Sequence, residues 1–252
     1  MKKGLLRDWL LGEDTNVKEK DNWILSQLNS LQRGSKILDA GAGRLRWKKH
    51  CRHLQYVSQD FCQYHGKECE TGLQNTKWEY PHIDIVSDIV DIPVEDETFD
   101  AVLCTEVLEH VPNPNRVLEE LVRVTKPEGV LIITAPFCSL THMAPYHYCT
   151  GFNRYWFEVN LLNAGAKIEK CDRNGSFYSW IRQEVIRLPF VLRKYQGRGG
   201  VKPGVKIRSA LFAHSLKKYI ELCDDSGELL CFEYMIQAKK LDRISEKDKK
   251  DI

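Results

Sequence analysis

A glycine-rich turn, KILDAGAGRLRW at residues 36–47, carries the residues with the clearest chemistry. An aspartate, Asp39, precedes two glycines, Gly41 and Gly43, that are spaced for a tight turn after a short apolar strand. Backbone without side chains lets a nucleoside-containing ligand approach closely. Leu45 stands where a nucleotide-binding loop often has a third glycine, so the ligand must tolerate leucine there.

Two carboxylates narrow the choice of ligand. Asp60 follows Gly41 by 19 residues, at the end of the next predicted strand, where it can accept both hydroxyls of a ribose. Asp39 would repel a pyrophosphate at the mouth of the turn and attract an ammonium group. S-adenosylmethionine has an amino-acid end, a ribose and an adenine but no phosphate, so these residues favour it over a dinucleotide.

Hydrophobic periodicity places this turn in an α/β fold. Helices are predicted over 17–32, 45–53, 115–125 and 154–164, and strands over 36–39, 56–59, 83–86, 99–105, 130–134, 167–171 and 229–238. Strands that alternate with helices imply a parallel sheet covered on both faces, with ligands bound at the carboxyl ends of the strands.

The run from ILDAGAG through SDIVDIPVEDETFDAVLCTEVLEHVPNPNRVLEELVRVTKPEGVLIITAPF resembles class I S-adenosylmethionine-dependent methyltransferases of the type 11 group. The resemblance covers about residues 35–172. It implies a Rossmann-like, doubly wound sheet of seven strands with an antiparallel last strand, and S-adenosylmethionine as the cofactor.

The resemblance also assigns cofactor contacts. It implies that the methionine end is held by Asp39, Gly41 and Gly43, the ribose by Asp60 with Phe61 beside it, and the adenine by Asp88 and Ile89, over a floor of Cys104, Thr105 and Glu106. Leu45 departs from the family pattern. An alternative role for Asp88 is to cap a turn.

Residues 136–156, PFCSLTHMAPYHYCTGFNRYW, follow the fifth strand and are the place to seek the catalytic groups. Methyl transfer requires aligned reactants and usually a base for the acceptor. We predict that His142, His147 and Tyr146 contact the acceptor and that one histidine is the base. The alternative is a packed aromatic lid with solvated histidines.

The segment EVLEHV, residues 106–111, resembles the matching stretch of ubiquinone-pathway O-methyltransferases. Some of those hold a metal on residues matching Glu106, Glu109 and His110. Because the same letters occur in metal-free members, no metal is predicted.

The charge of the chain is uneven. Its net +2 combines +9 over residues 176–218 with −7 over the other 209 residues. Three interpretations of this basic helical insert stay open: a lid for an anionic acceptor, a surface for anionic lipid, or a solvated helical pair. Pro189 is expected to interrupt its first helix. The predicted domains are a helical cap (1–34), a methyltransferase domain (35–240, with the insert at about 174–228) and a charged tail (241–252).

Nine cysteines without CxxC pairs predict reduced thiols, and the N-terminus, MKKGLLRDWLLGED, lacks the pattern of a signal peptide. With no long apolar run, the chain is expected to be cytoplasmic, with peripheral membrane contact left open.

The resemblance extends to bacterial type 11 enzymes of glycan and cell-surface biosynthesis, which implies O-methylation of a sugar or other small-molecule hydroxyl. The first alternative, a tRNA or other nucleic-acid methyltransferase, lacks the expected Asn-Pro-Pro-Tyr-like signature after the fourth strand, where the chain reads CTEVLEH. The second, a cofactor-binding module without transfer activity, does not explain why Asp39, Asp60 and Asp88 are all present.

Overall fold

The computed structural model describes residues 15–66, 72–73, 78–196 and 200–242. The helices are α1 (Thr15–Ser30), α2 (Pro114–Val124), α3 (Arg154–Ala164), α4 (Phe177–Tyr195) and α5 (Pro203–Leu222). The strands are β1 (Lys36–Ala40), β2 (Gln55–Asp60), β3 (Ile85–Val86), β4 (Phe99–Thr105), β5 (Thr125–Pro136), β6 (Ala166–Asn174) and β7 (Glu233–Lys240). The N-terminal run 1–14, Cys69, Arg198 and most of the predicted tail, 243–252, lie outside the described residues.

All seven strands form one sheet in the order β3-β2-β1-β4-β5-β7-β6, which confirms the predicted Rossmann-like fold. Strand β1 pairs in parallel with β2 on one side and with β4 on the other. The chain order reverses between β1 and β4, and the crevice at such a switch point is the usual ligand site. Strand β7 runs antiparallel to β5, from Val130 opposite Lys239 to Pro136 opposite Glu233.

Helix α1 fixes β1 from one face of the sheet. Its Ile24 and Leu28 are fully buried in a cluster with Ile37 of β1, Trp47 and Leu103 of β4. Burial of each large aliphatic side chain stabilises the fold by about 1.5–3 kcal/mol. The start of the glycine turn therefore rests on packed apolar side chains.

The segment 45–53 is not the helix that its spacing predicted. It forms turns and a short 3-10 helix, Lys48–His50. Leu45 adopts φ 56°, in the left-handed region, and an α-helix cannot continue through such a residue. The glycine that the family pattern has at this position would adopt the same conformation without strain.

Two further expectations were wrong in the last third of the chain. Helix α4 runs through Pro189, because one missing hydrogen bond is offset by the packing of α4 against α5, where Tyr178 stacks on Tyr219 at 5.4 Å. The last strand begins at Glu233 rather than at residue 229. Its pairing with β5 also begins at Glu233.

The described chain forms two compact units. One comprises residues 173–232 with the described residues before position 21, and the other comprises 21–172 with the described residues from 233 onward. Among the described helices, none combines the length and the apolar character needed to cross a bilayer. The predicted domain limits stay a prediction.

Candidate cofactor and acceptor site

The glycine turn leaves β1 at the switch point and folds back onto the end of β2. The N–H groups of Gly41 and Ala42 both donate to the carbonyl of Gln59, at 2.9 Å. Gly41 and Gly43 have φ 75° and 50°, and a Cβ at Gly41 would collide with Val107. Both glycines are therefore required by the turn itself, whatever it binds.

Asp39 lies beneath the turn rather than at its mouth. It is 1% exposed and accepts a 2.5 Å hydrogen bond from the hydroxyl of Tyr56. Burial raises the pKa of Asp39 to about 7, and the hydrogen bond from Tyr56 opposes part of this shift. Burial thus favours the protonated form of Asp39, although its position in the motif predicts a charged carboxylate.

Asp60 ties the glycine turn to the segment that follows β2. Its Oδ2 accepts from the N–H of Gly43 at 2.8 Å, and its Oδ1 accepts from the N–H of Cys62 at 2.9 Å. Burial raises its pKa, while these backbone donors lower it. Each carboxylate oxygen keeps a second lone pair, which a ribose hydroxyl can use.

The predicted adenine pair lies beside Asp60. The N–H of Ser87 donates to the carbonyl of Asp60 at 3.2 Å, which brings the turn at Asp88 and Ile89 to the end of β2. Ile89 is 5% exposed, whereas Asp88 is exposed and its Oδ1 accepts from the N–H of Val90 at 3.2 Å. Asp88 caps a turn in this structure, the alternative weighed above, and a role toward adenine stays a prediction.

The predicted floor at the end of β4 is split between two faces of the sheet, because successive strand residues alternate. Cys104 is fully buried, and burial together with Glu109 and Asp39 raises the pKa of its thiol. Thr105 points the other way, toward the indole N–H of Trp47 at 3.3 Å. Glu106 has φ 56° and its Oε1 accepts from the hydroxyl of Thr134 at 2.9 Å.

The loop between β5 and α3 is folded back over the carboxyl ends of the strands. The N–H groups of Tyr148 and Cys149 donate to the carbonyl of Glu109, at 2.8 and 3.3 Å. The ring of Tyr146 meets Phe61 edge to face at 5.1 Å, next to Asp60. Tyr146 and Phe61 are thus brought together as a wall of the site.

Three histidines gather on this loop and below it. The His142 ring lies 4.7 Å from His110 and 4.9 Å from His147, measured between ring centroids. The Nε2 of His147 lies 3.1 Å from the hydroxyl of Ser139. Burial, and secondarily the neighbouring His142, lower the pKa of His147, which favours the neutral imidazole, the form that can accept a proton. Sequence reasoning named His142 and His147 but not their contact with His110.

The structure separates the other loop aromatics from this group. Tyr148 and Tyr155 are 50% and 67% exposed, and Trp156 packs on Phe152 at 4.5 Å. These three rings do not line the wall formed by Tyr146 and Phe61.

Sequence reasoning missed Trp78, which packs on the glycine turn. A Cβ at Gly43 would lie 3.2 Å from the Cζ2 of Trp78, and the guanidinium of Arg44 lies 4.4 Å from the indole ring. Trp78 also meets the buried ring of Tyr64 at 5.8 Å. The aromatic-rich stretch WEYPH was the available signal, but it has no family spacing.

This sheet order, with a glycine turn after β1 and an acidic residue ending β2, defines a class I methyltransferase fold. Residues 38–133 match the family model described as a methyltransferase domain. Residues 38–133 are thus a methyltransferase domain, and S-adenosylmethionine is its cofactor.

Individual relatives match parts of the chain. A tRNA (carboxymethyluridine(34)-5-O)-methyltransferase of Arabidopsis thaliana is 34% identical over 44% of this chain and 26% of its own length. A ubiquinone biosynthesis O-methyltransferase of Pseudomonas fluorescens is 29% identical over 64% of this chain and 68% of its own length. The solved YcgJ protein of Bacillus subtilis, 12% identical, aligns over 88% of this chain and 98% of its own with a TM-score of 0.52, which concerns the fold alone.

Proposed function

We propose that this chain transfers the methyl group of S-adenosylmethionine to a hydroxyl of a small molecule, and that the acceptor is a sugar or a comparable metabolite. The supporting observation is the group of His142, Tyr146 and His147, held on a loop that packs beside Asp60 through Phe61. An aromatic wall suits a sugar ring, and a neutral imidazole suits removal of a hydroxyl proton. The name of the Pseudomonas relative supports transfer to oxygen.

The catalytic role is tested by changing each histidine separately. His142→Ala and His147→Ala should each reduce turnover about a hundredfold if that side chain removes the proton, with the affinity for S-adenosylmethionine intact. Tyr155→Ala, at an exposed ring of the same region, is the matched control and should retain full turnover. Normal turnover by both histidine variants would assign the base elsewhere.

The acceptor is tested with S-adenosylmethionine that carries an isotope-labelled methyl group. Separate incubations with sugars, phenolic metabolites, extracted lipids and tRNA would reveal the acceptor by incorporated label. The Arabidopsis relative favours tRNA as a second candidate, so label in tRNA alone would replace the proposal. Cofactor binding without any label in the four pools would favour a module that binds but does not transfer.

We further infer that the acceptor is anionic or lipid-linked and that the helical unit contacts membranes. Exposed apolar residues recur on α4 at Leu188, Leu192 and Tyr195, and on α5 at Ile207 and Leu211. They share these helices with the basic residues Arg193, Lys194, Lys206 and Arg208. Apolar side chains among basic ones fit a surface of anionic lipid.

A further inference from the structure

We propose that Glu109, His110 and His142 form a binding site for a divalent transition-metal ion such as zinc. This set differs from the one weighed in the sequence, because Glu106 accepts from Thr134 and His142 takes its place beside Glu109. The donors come from two elements: the short 3-10 helix Leu108–His110 after β4, and the loop after β5.

Backbone carbonyls determine which ring nitrogens can bind a metal. The Nδ1 of His110 lies 2.5 Å from the carbonyl of Tyr146, and the Nδ1 of His142 lies 2.8 Å from the carbonyl of Leu140. A carbonyl can only accept, so both Nδ1 atoms carry the proton and both Nε2 atoms carry the lone pair. This carbonyl-bonded tautomer is the usual arrangement of histidine ligands.

Both Nε2 atoms face the same carboxylate oxygen. The Oε1 of Glu109 lies 3.7 Å from the Nε2 of His110 and 3.9 Å from the Nε2 of His142. The three donor atoms all lie within 4.8 Å of one another. Bonds of about 2.0–2.1 Å in a tetrahedral zinc site separate ligand atoms by about 3.4 Å, so small side-chain movements would suffice.

Charge and burial favour a cation between these groups. Glu109 is 1% exposed, and an ionised carboxylate at that depth is costly unless a positive charge lies beside it. One carboxylate and two imidazole nitrogens are a donor set that zinc accepts, with a position left for water or substrate. This inference rests on the proposed function in one respect: with both ring nitrogens of His142 engaged, His147 would be the base, and the ion would orient the acceptor hydroxyl and favour its ionisation.

The test is a titration of chelator-treated full-length protein with Zn²⁺ followed by calorimetry, and with Co²⁺ followed by its visible absorption. We expect one ion per chain, and at least tenfold weaker binding in both His142→Ala and Glu109→Gln. Glu106→Gln distinguishes the proposed ligand set from the set that includes Glu106. This variant should bind the metal ion as tightly as the parent protein does. His82→Ala, at a ring that is 87% exposed in its side chain, controls for incidental histidine binding.

Absence of stoichiometric binding by the parent, or parent-like binding by His142→Ala, would overturn the proposal. His142→Ala changes a half-buried loop residue, whereas Glu109→Gln changes a buried one. Weaker metal binding by His142→Ala is therefore not explained by loss of the fold. Calorimetry with S-adenosylmethionine on the same samples keeps the two proposals apart. If the parent protein binds S-adenosylmethionine but no metal, only the metal site is rejected. If the parent protein binds the metal but transfers no methyl group to any acceptor, only the proposed reaction is rejected.

Discussion

Asp60 stabilises the conformation of the glycine turn, in addition to any contact that it makes with the ligand. Its two oxygens accept from Gly43, in the glycine turn, and from Cys62, just after the end of β2. A hydrogen bond to a charged group contributes more than a neutral one, and both partners here are backbone N–H groups that would otherwise need water.

We therefore expect Asp60→Ala to weaken binding of S-adenosylmethionine by about 1–3 kcal/mol, through loss of the ribose contact and loosening of the turn. Titration calorimetry measures the change. Asp88→Ala is the companion variant, since Asp88 is exposed and caps a turn, and it should have the smaller effect. Parent-like affinity of a folded Asp60→Ala protein would assign Asp60 a purely structural role.

The pH dependence of cofactor binding should follow from Asp39. Its pKa of about 7 without ligand is raised by burial, and a cationic ligand favours the ionised carboxylate, so binding releases a proton below that pKa. Affinity should be constant well above about pH 7 and should fall by up to about tenfold per pH unit below it. Burial also raises the pKa of Asp60, which acts in the same direction.

Calorimetry across about pH 6 to 8, in buffers of different ionisation enthalpy, measures both the affinity and the proton released. Asp39→Asn should bind more weakly, with a flatter dependence on pH. An identical pH profile in parent and variant would rule out Asp39 as the titrating group.

At the scale of elements, α2 holds the chain that leads from the turn at Asp88 and Ile89. Arg123 donates to both oxygens of Glu120 and to Asp96, each at 2.7 Å, and to the carbonyls of Ile92 and Val94 at 2.9 Å. Glu120 is 8% exposed and also accepts from the N–H of Ile92 at 2.7 Å. The segment after Ile89 is thus fixed to α2 by one guanidinium and one carboxylate.

Arg123→Ala should therefore lower the free energy of unfolding by roughly 2–3 kcal/mol, because it leaves Glu120 buried without its cation. Urea unfolding monitored by circular dichroism gives the value. Arg116→Ala removes an exposed pair on the same helix, with Glu119, and should cost less than about 1 kcal/mol. Equal losses in the two variants would contradict the importance assigned to burial.

At the scale of the whole molecule, the +9 of residues 176–218 lies in one compact unit, and the acidic remainder lies mostly in the other. Within the basic unit, α4 and α5 leave large apolar side chains in solvent, among them Phe190 and Phe212 at 53% each. A solvated helical pair would not require exposed phenylalanines, and the proposed contact with a lipid surface depends on these side chains.

We expect the parent protein to float with vesicles that contain phosphatidylglycerol and not with phosphatidylcholine alone. Arg193→Glu with Lys194→Glu should reduce flotation at least tenfold, at about 1 kcal/mol for each basic residue near the surface. Lys167→Glu with Lys170→Glu makes the same change of charge on exposed residues of β6 and should have little effect. Arg198, which lies outside the described residues, belongs to the same basic run and can be added to the first variant.

Equal flotation of both double variants would point to general attraction rather than a defined surface. Absence of vesicle binding, with a raised Michaelis constant for an anionic soluble acceptor, would favour the lid interpretation of the same charges.

The sequence determined the features that depend on neighbouring residues. The strand patterns, the paired glycines and Asp60 at the end of β2 are local, since each reflects backbone geometry or alternation within a few positions. These local signals were enough for the fold class and the cofactor. They failed at Leu45, where the left-handed backbone cannot be read from hydrophobic spacing, and at Pro189, where packing against α5 outweighs a lost hydrogen bond.

Only the tertiary structure decided which distant side chains meet. Tyr146 reaches Phe61, Trp78 covers Gly43, and His142 faces Glu109, in each case across a loop whose path no periodicity describes. Burial likewise places Asp39 under the turn and raises its pKa, although its position in the motif suggested an exposed charge. Contacts of this kind depend on how loops close over a finished sheet, and that closure is a property of the packed molecule rather than of any short segment.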